Sequence, residues 1–206
     1  CFYSAFFSLL NIMMGHMELE SGLASIKEIL NFQPICGGNR KLPKNKSYEI
    51  RFDDVSFGYD QSKQALSHIS LTMKPGTLTA FVGASGAGKT TAAQLIGRYW
   101  DVDSGMVSIG GIPLQELDSE SLMDLTAFVF QDVFLMEDTL FENIRMGSDA
   151  TEEQVIAAAK AAQIDDFIRT LPQGYQTRIG DKGVKLSGGQ QQRIAIARAI
   201  LKDSPV

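Results

Sequence analysis

Apolar residues recur along this chain in two rhythms. Between 48 and 73 they fall close to every second position: Ile50, Phe52, Val55 and Phe57, then Ile69, Leu71 and Met73. A period near two lines one face of a pleated strand, so two strands are predicted there, joined by a turn over 60–64. Short apolar runs predict further strands over 77–82, 106–109 and 126–130, the first and last of them buried. The second rhythm is helical. It appears over 15–30, where Leu19, Leu23, Ile26 and Leu30 share a face and Glu18, Glu20, Lys27 and Glu28 lie elsewhere. It returns over 91–98, in the Ala-rich run to Ala162, over 165–170 and from 188 to about 201, with Ile194, Ala197 and Leu201 on one face. Thr151 and Gln154 have capping-box spacing ahead of the Ala-rich helix, and Leu171-Pro172 ends the one after it. Residues 173–184 read as a Gly-containing loop.

These rhythms divide the chain. Pro34, Gly37, Gly38 and Pro43 break helix and strand over 31–47, and Arg40, Lys41, Lys44 and Lys46 make that stretch basic. It reads as a solvated linker, with a compact domain beginning near Tyr48. Ahead of it, 1–14 is strongly apolar but shorter than the ~20 residues that cross a bilayer, with no leading charges and no initiator Met. It reads as the cut end of something longer. The helix over 15–30 is either a core-packing helix or the extension of a membrane helix that begins upstream.

Composition narrows the function. The 206 residues are 44% hydrophobic and 21% charged, a globular balance. A net charge of −5 argues against a nonspecific grip on nucleic acid. Cys1 and Cys36 have no metal-ligand spacing, and His16 and His68 have no Cys or His nearby. A reduced, cytosolic setting fits best.

Two stretches carry chemistry. Residues 83–90 read G-A-S-G-A-G-K-T, a match to the phosphate-binding loop G-x-x-x-x-G-K-[ST], set between a predicted strand and a predicted helix. Gly83, Gly86 and Gly88 let the backbone curl so that successive N–H groups, that of Ser85 included, converge on an anion. Lys89 adds a point charge for the β- and γ-phosphates, and Thr90 offers a hydroxyl to the Mg²⁺ that travels with ATP. The helix that follows points its positive end at the same place. The second stretch is Leu186-Ser187-Gly188-Gly189-Gln190. Ser187 and Gln190 have capping-box spacing, but a capping box alone does not explain two glycines in a first helical turn, each unfavourable by about 1 kcal/mol relative to Ala. Close approach of a ligand to bare backbone does, and a helix start with a serine hydroxyl makes a second anion site.

With L-S-G-G-Q followed by Q-Q-R-I-A-I-A-R-A-I-L, the chain resembles the ATP-binding-cassette family over about residues 48–206. The resemblance implies an α/β fold: a P-loop NTPase core with an antiparallel β subdomain and a helical subdomain, here truncated before the Walker B strand. It implies that Tyr59 stacks on adenine and that Gly83, Ser85, Gly86, Gly88, Lys89, Thr90 and Thr91 hold the triphosphate. Thr90 and Gln131 would reach Mg²⁺, Gln131 would also touch the attacking water, and Gln131 and Lys89 are the catalytic candidates. Ser187, Gly188, Gly189 and Gln190 would cover the γ-phosphate bound by a second nucleotide-binding domain, head to tail in a homo- or heterodimer. Residues 177–183 resemble the loop before the signature in exporter-type members. On that pattern 1–30 is the end of the last membrane helix, 31–47 the linker, and 134–144 lies near the surface that receives the coupling helices of the membrane domain.

The implied function is ATP binding and hydrolysis that drives export, at the cytoplasmic side of a cell or inner membrane, with no nucleic-acid partner. The family's next strand, with its metal-ordering Asp and water-activating Glu, and its switch histidine are not among these residues, so the 206-residue chain alone is expected to lack ATPase activity. The alternatives are a soluble cassette ATPase acting on chromosomes and a binding module that holds ATP without hydrolysing it. A small GTPase is opposed by the signature helix and by the lack of an N-K-x-D guanine motif.

Overall fold

The computed structural model describes residues 35–43, 46–60, 63–180 and 183–206 throughout, and thirteen positions between 3 and 30. Most of the apolar start, together with Glu18, Glu28, Pro34, Lys44, Asp181 and Lys182, lies outside the described residues. The chain divides into Cys1–Cys36 and Gly37–Val206. In the first unit every described residue from 3 to 30 is helical. Leu19, Leu23, Ile26 and Leu30 are all more than half exposed, so the stripe that a core-packing helix would bury is not buried. Among the described residues no helix is long and apolar enough to cross a membrane.

The second unit opens on a sheet. Strand β1 (Ile50–Asp60) pairs antiparallel with β2 (Lys63–Met73) on one side and with β3 (Ser104–Ile109) on the other. A two-residue strand β4 (Ile112–Pro113) completes the order β2-β1-β3-β4. Strict alternation fails between Phe52 and Val55, yet both are buried, at 1% and 0% exposure. The ladder shifts register between them and Asp54 takes φ 51°, so a bulge turns Val55 back to the core face. Asp60, Lys63 and Gln64, expected in the turn, belong to the two strands instead.

Helix α1 (Lys89–Ile96) buries Thr91, Ala92, Leu95 and Ile96. Its apolar residues join Phe52, Val55, Val107, Ile109 and Leu117 in a first hydrophobic cluster. Helices α2 (Ser119–Leu125) and α3 (Leu140–Arg145) were not foreseen; each is short, and each is started by a side-chain cap, Asp118 or Thr139. Helix α4 (Glu152–Ala161) carries the expected capping box, and α5 (Asp165–Thr170) follows. Helix α6 (Gly188–Lys202) buries Ile194, Ala195 and Ala197. Leu140, Ile144, Val155, Ile164, Ile168 and Ile194 form a second cluster.

Three expectations change. Residues 77–82 and 126–130 are not strands. The first is mostly exposed, with Leu78 at 99% and Val82 at 93%, while Phe81 packs partly buried against the first cluster. A strand exists only against a neighbour, and no ladder partner covers either stretch among the described residues. The one exception is at the start of the second, where Val206 N–H donates to Leu125 O at 3.0 Å and Ala127 N–H to Val206 O at 2.8 Å. The rest of it is placed by rings: Phe128 and Phe130 stack at 5.9 Å, and Tyr99 meets both edge-on.

The basic stretch is also less free than a solvated linker. Gly38 N–H donates to Leu117 O, Arg40 N–H to Glu116 O and Asp118 N–H to Arg40 O, at 2.8–3.0 Å. Arg40 pairs with Glu116 at 2.9 Å and Lys41 with Asp118 at 3.8 Å. Gly38 is required here, because a Cβ would stand 2.0 Å from Glu116 O.

Candidate nucleotide site

The phosphate-loop sequence folds into a bare helix start. Gly86 and Gly88 adopt φ 81° and 80°, a region that Cβ-bearing residues avoid. Gly88 is the N-cap of α1, and no side chain caps the helix, so side chains leave the N–H groups of its first turn for another acceptor. There is room for one on the loop side, since nothing lies within 4 Å of a Cβ built on Gly86. The underside of the loop is closed, and a Cβ on Gly88 would meet Leu66 Cδ2 at 2.6 Å and Ala65 O at 2.7 Å. Lys89 Nζ donates to Gly83 O at 3.0 Å and Ala84 O at 2.7 Å, which folds the ammonium back over the loop. Ser85 and Thr90 are exposed, whereas Thr91 is buried. An ammonium, two left-handed glycines and an uncapped N-terminus are the donor set of an anion cradle, and the exposed Thr90 hydroxyl beside it suits a hard cation carried by phosphates. Among the described residues, no cluster of three or more His, Cys, Asp or Glu could hold a metal unaided.

Tyr59 is tied to this loop. Its hydroxyl lies 3.1 Å from Thr91 Oγ1 and donates to Gln94 Oε1 at 2.9 Å, both on α1. Its ring stands edge-on to Phe57 at 5.1 Å and to Trp100 at 5.6 Å, and the residue is 52% exposed. An anchored, half-open aromatic ring beside a phosphate cradle suits a flat base. Gln94 and Trp100, which hold it, were missed. Their side chains reach it only through the fold, and no local signal marks them.

The signature stretch makes a helix start of the other kind. Ser187 Oγ accepts from Gln190 N–H at 3.4 Å, and Gln190 Oε1 accepts from Ser187 N–H at 2.8 Å. The capping box is therefore formed, while nothing lies within 4 Å of a Cβ built on Gly188 or Gly189. The glycines face open space, as a close-approach surface requires. Helix α1 belongs to the first hydrophobic cluster and α6 to the second, so the two helix starts rise from different cores.

Gln131 is exposed and lies just past the stacked Phe128 and Phe130. Beyond it, Asn143 is fully buried and its side chain is fully used. Its amide donates to Met136 O at 3.0 Å and Thr139 O at 2.9 Å, and its Oδ1 accepts from Met136 N–H at 2.9 Å. Arg198 of α6 reaches the same knot, and burial lowers its guanidinium from the usual value without threatening its charge. Residues 177–180 run beside it: Leu140 N–H donates to Thr177 O at 2.9 Å and Ile179 N–H to Asp138 O at 3.0 Å. Asp181 and Lys182 of that loop are outside the described residues. A cavity of about 770 Å³ opens between Tyr99, Phe128, Phe134, Arg198 and Lys202.

Near the loop after α5, Asp165 is buried and accepts from Arg169 Nε at 2.9 Å and from the Tyr175 hydroxyl at 2.7 Å. Burial works to raise its pKa, but those hydrogen bonds and the Arg169 charge together hold it below the usual 3.8. Burial and the Asp165 carboxylate push the Tyr175 phenol well above its usual 10.0.

Comparison with known proteins gives the family of the chain. The family described as ABC transporter matches residues 66–206. The chain is 46% identical over 192 residues to an ATP-dependent lipid A-core flippase of Legionella pneumophila (strain Paris), covering 91% of this chain and 33% of that one. It is 42% identical over 166 residues to the mitochondrial iron-sulfur clusters transporter ATM1 of Saccharomyces cerevisiae, covering 80% and 24%. The structure of a bacterial Atm1-family ABC exporter with ATP bound superposes at a TM-score of 0.79 with 38% identity, covering 93% of this chain and 34% of that one. The chain thus spans about a quarter to a third of the length of these curated relatives.

Proposed function

Since this chain belongs to the ABC transporter family, we propose that its residues 48–206 are the larger part of the nucleotide-binding domain of an exporter, and that the complete protein couples ATP hydrolysis to transport across a membrane. The observation that carries this reading is the pair of helix starts, an uncapped one with Lys89 folded over it and a capped one with Gly188 and Gly189 in open space. In this reading the backbone of 83–90 and Lys89 bind the β- and γ-phosphates, and Tyr59 stacks on the adenine. Thr90 and Gln131 would hold Mg²⁺, which neutralises phosphate charge when bound. Gln131 orients the attacking water. Ser187 and Gly189 cover the γ-phosphate of a second nucleotide-binding domain, so each ATP lies between two domains set head to tail. Catalysis is then positioning and charge stabilisation, with phosphoryl transfer to water.

The exposed stripe over 19–30 supports a helix that continues from a membrane domain, with 31–47 as the connection and the nucleotide site on the cytoplasmic face. The cavity between Phe134 and Arg198 is assigned to coupling helices of that domain. The open edges of 77–82 and 126–130 fit a further parallel strand from outside these residues, where the family carries its metal-ordering Asp and water-activating Glu. The test is ATP turnover by the complete protein in lipid. Mg²⁺-dependent turnover that disappears in Lys89→Ala is expected, and turnover indifferent to Lys89→Ala contradicts the proposal.

A further inference from the structure

Helix α6 does more than present Ser187 and its glycines. Ten residues past Gly188, Arg198 turns its fork onto the segment that follows Gln131. Its Nε donates to Asn143 O, its Nη1 to Phe134 O at 2.6 Å and its Nη2 to Asn143 Oδ1 at 2.9 Å. On the near side of Gln131, Gln192 of the same helix donates to Phe130 O at 3.4 Å, a longer and weaker bond. The stretch 130–134 is thus held at both ends by one helix, with Gln131 between the two grips. All three acceptors of Arg198 are uncharged oxygens, and among the described residues it forms no ion pair. What the site uses is the planar fork with donors in fixed directions, which a lysine does not reproduce.

We propose that Arg198 is a positioning residue for ATP hydrolysis: it fixes the loop bearing Gln131 to the helix that begins at Ser187, so that these two groups shift together as one body. The inference rests on the reading of Gln131 given above. A charged fork on three carbonyl-type acceptors makes strong bonds, and they hold only one loop geometry. A catalytic group displaced by about 1 Å loses on the order of a hundredfold in rate. A grip that is loosened but not removed should therefore cost a fraction of that.

The experiment uses the complete protein in lipid, as wild type, Arg198→Lys and Gln192→Ala. Wild-type turnover that depends on Lys89 establishes the underlying reading first, and its absence would overturn that reading and not this one specifically. Given turnover, Arg198→Lys is expected to lower kcat about tenfold with KM for ATP within about twofold, and Gln192→Ala to lower kcat about threefold. Amide exchange over 131–136 without nucleotide should rise in Arg198→Lys while that of α6 stays unchanged. If Arg198→Lys melts early, Gln192→Ala carries the test, since Gln192 is half-buried and outside both hydrophobic clusters. Unchanged kcat and unchanged exchange in both variants would overturn the proposal. So would a loss of kcat that merely follows the loss of folded protein, because packing alone then accounts for Arg198.

Discussion

The two helix starts proposed to carry the chemistry are built on opposite plans. At α1 the cap is Gly88, left-handed and without a side-chain partner, and Lys89 waits over the loop. At α6 the cap is Ser187, and its capping box with Gln190 is complete. The first is an open demand for an anion. The second satisfies part of its own backbone and offers the hydroxyl and two bare glycines as a surface. In the proposed reading, the difference sets which site binds first. An uncapped N-terminus with a cation gains most from a phosphate, whereas a capped one adds to an anion already held in place.

The comparison is broken most severely at Lys89. Lys89→Ala should weaken ATP binding by the complete protein about tenfold to a hundredfold, from loss of charge-assisted bonds. Ser187→Ala should leave this first binding within about twofold and remove ATP-driven pairing instead; calorimetric titration separates the two. The glycines sharpen the contrast in stability. Gly88→Ala should destabilise by about 2 kcal/mol or more, because φ 80° is strained and the new methyl meets Leu66 and Ala65. Gly188→Ala and Gly189→Ala should each stabilise the helix by about 0.5–1 kcal/mol, since they meet nothing and sit in a helix, while impairing pairing. Thermal melting beside turnover reads both effects.

The smallest effect lies at the start of α5. Asp165 holds a proton less readily when folded than when unfolded. Its contribution to stability is present above the unfolded pKa and is lost as pH falls through the folded one. Wild type should therefore lose stability below about pH 4, and Asp165→Asn should start lower at neutral pH and fall less steeply over that window. Melting temperatures between neutral and acid pH check this.

Much of this was legible in the sequence, for reasons that can be stated. Both phosphate motifs and both capping boxes are local, because a cap contacts its own chain three residues on. The buried residues of β1 were legible too, although the bulge that turns Val55 inward was not. Residues 77–82 read as a strand because their composition is that of one, but pairing depends on a neighbour that composition does not supply. The zipper of Gly38 and Arg40 against Glu116–Asp118 was hidden by charge, since four basic residues read as solvated. Arg198 was hidden by distance: its acceptors lie 55 and 64 positions away and two of the three are backbone carbonyls, which leave no mark on residue type. The family's P-loop NTPase fold, with its antiparallel sheet and helices, was legible as a class.

The central claim is that an open site on one copy is completed by the capped site of another. Co-expression of Lys89→Ala and Ser187→Ala copies of the complete protein, with mixed pairs isolated through two different tags, tests it most directly. A mixed pair keeps one intact Lys89 facing one intact Ser187, so the account predicts ATP turnover there of up to about half the wild-type value, with almost none in either uniform pair. Mixed pairs as inactive as the uniform ones would contradict it.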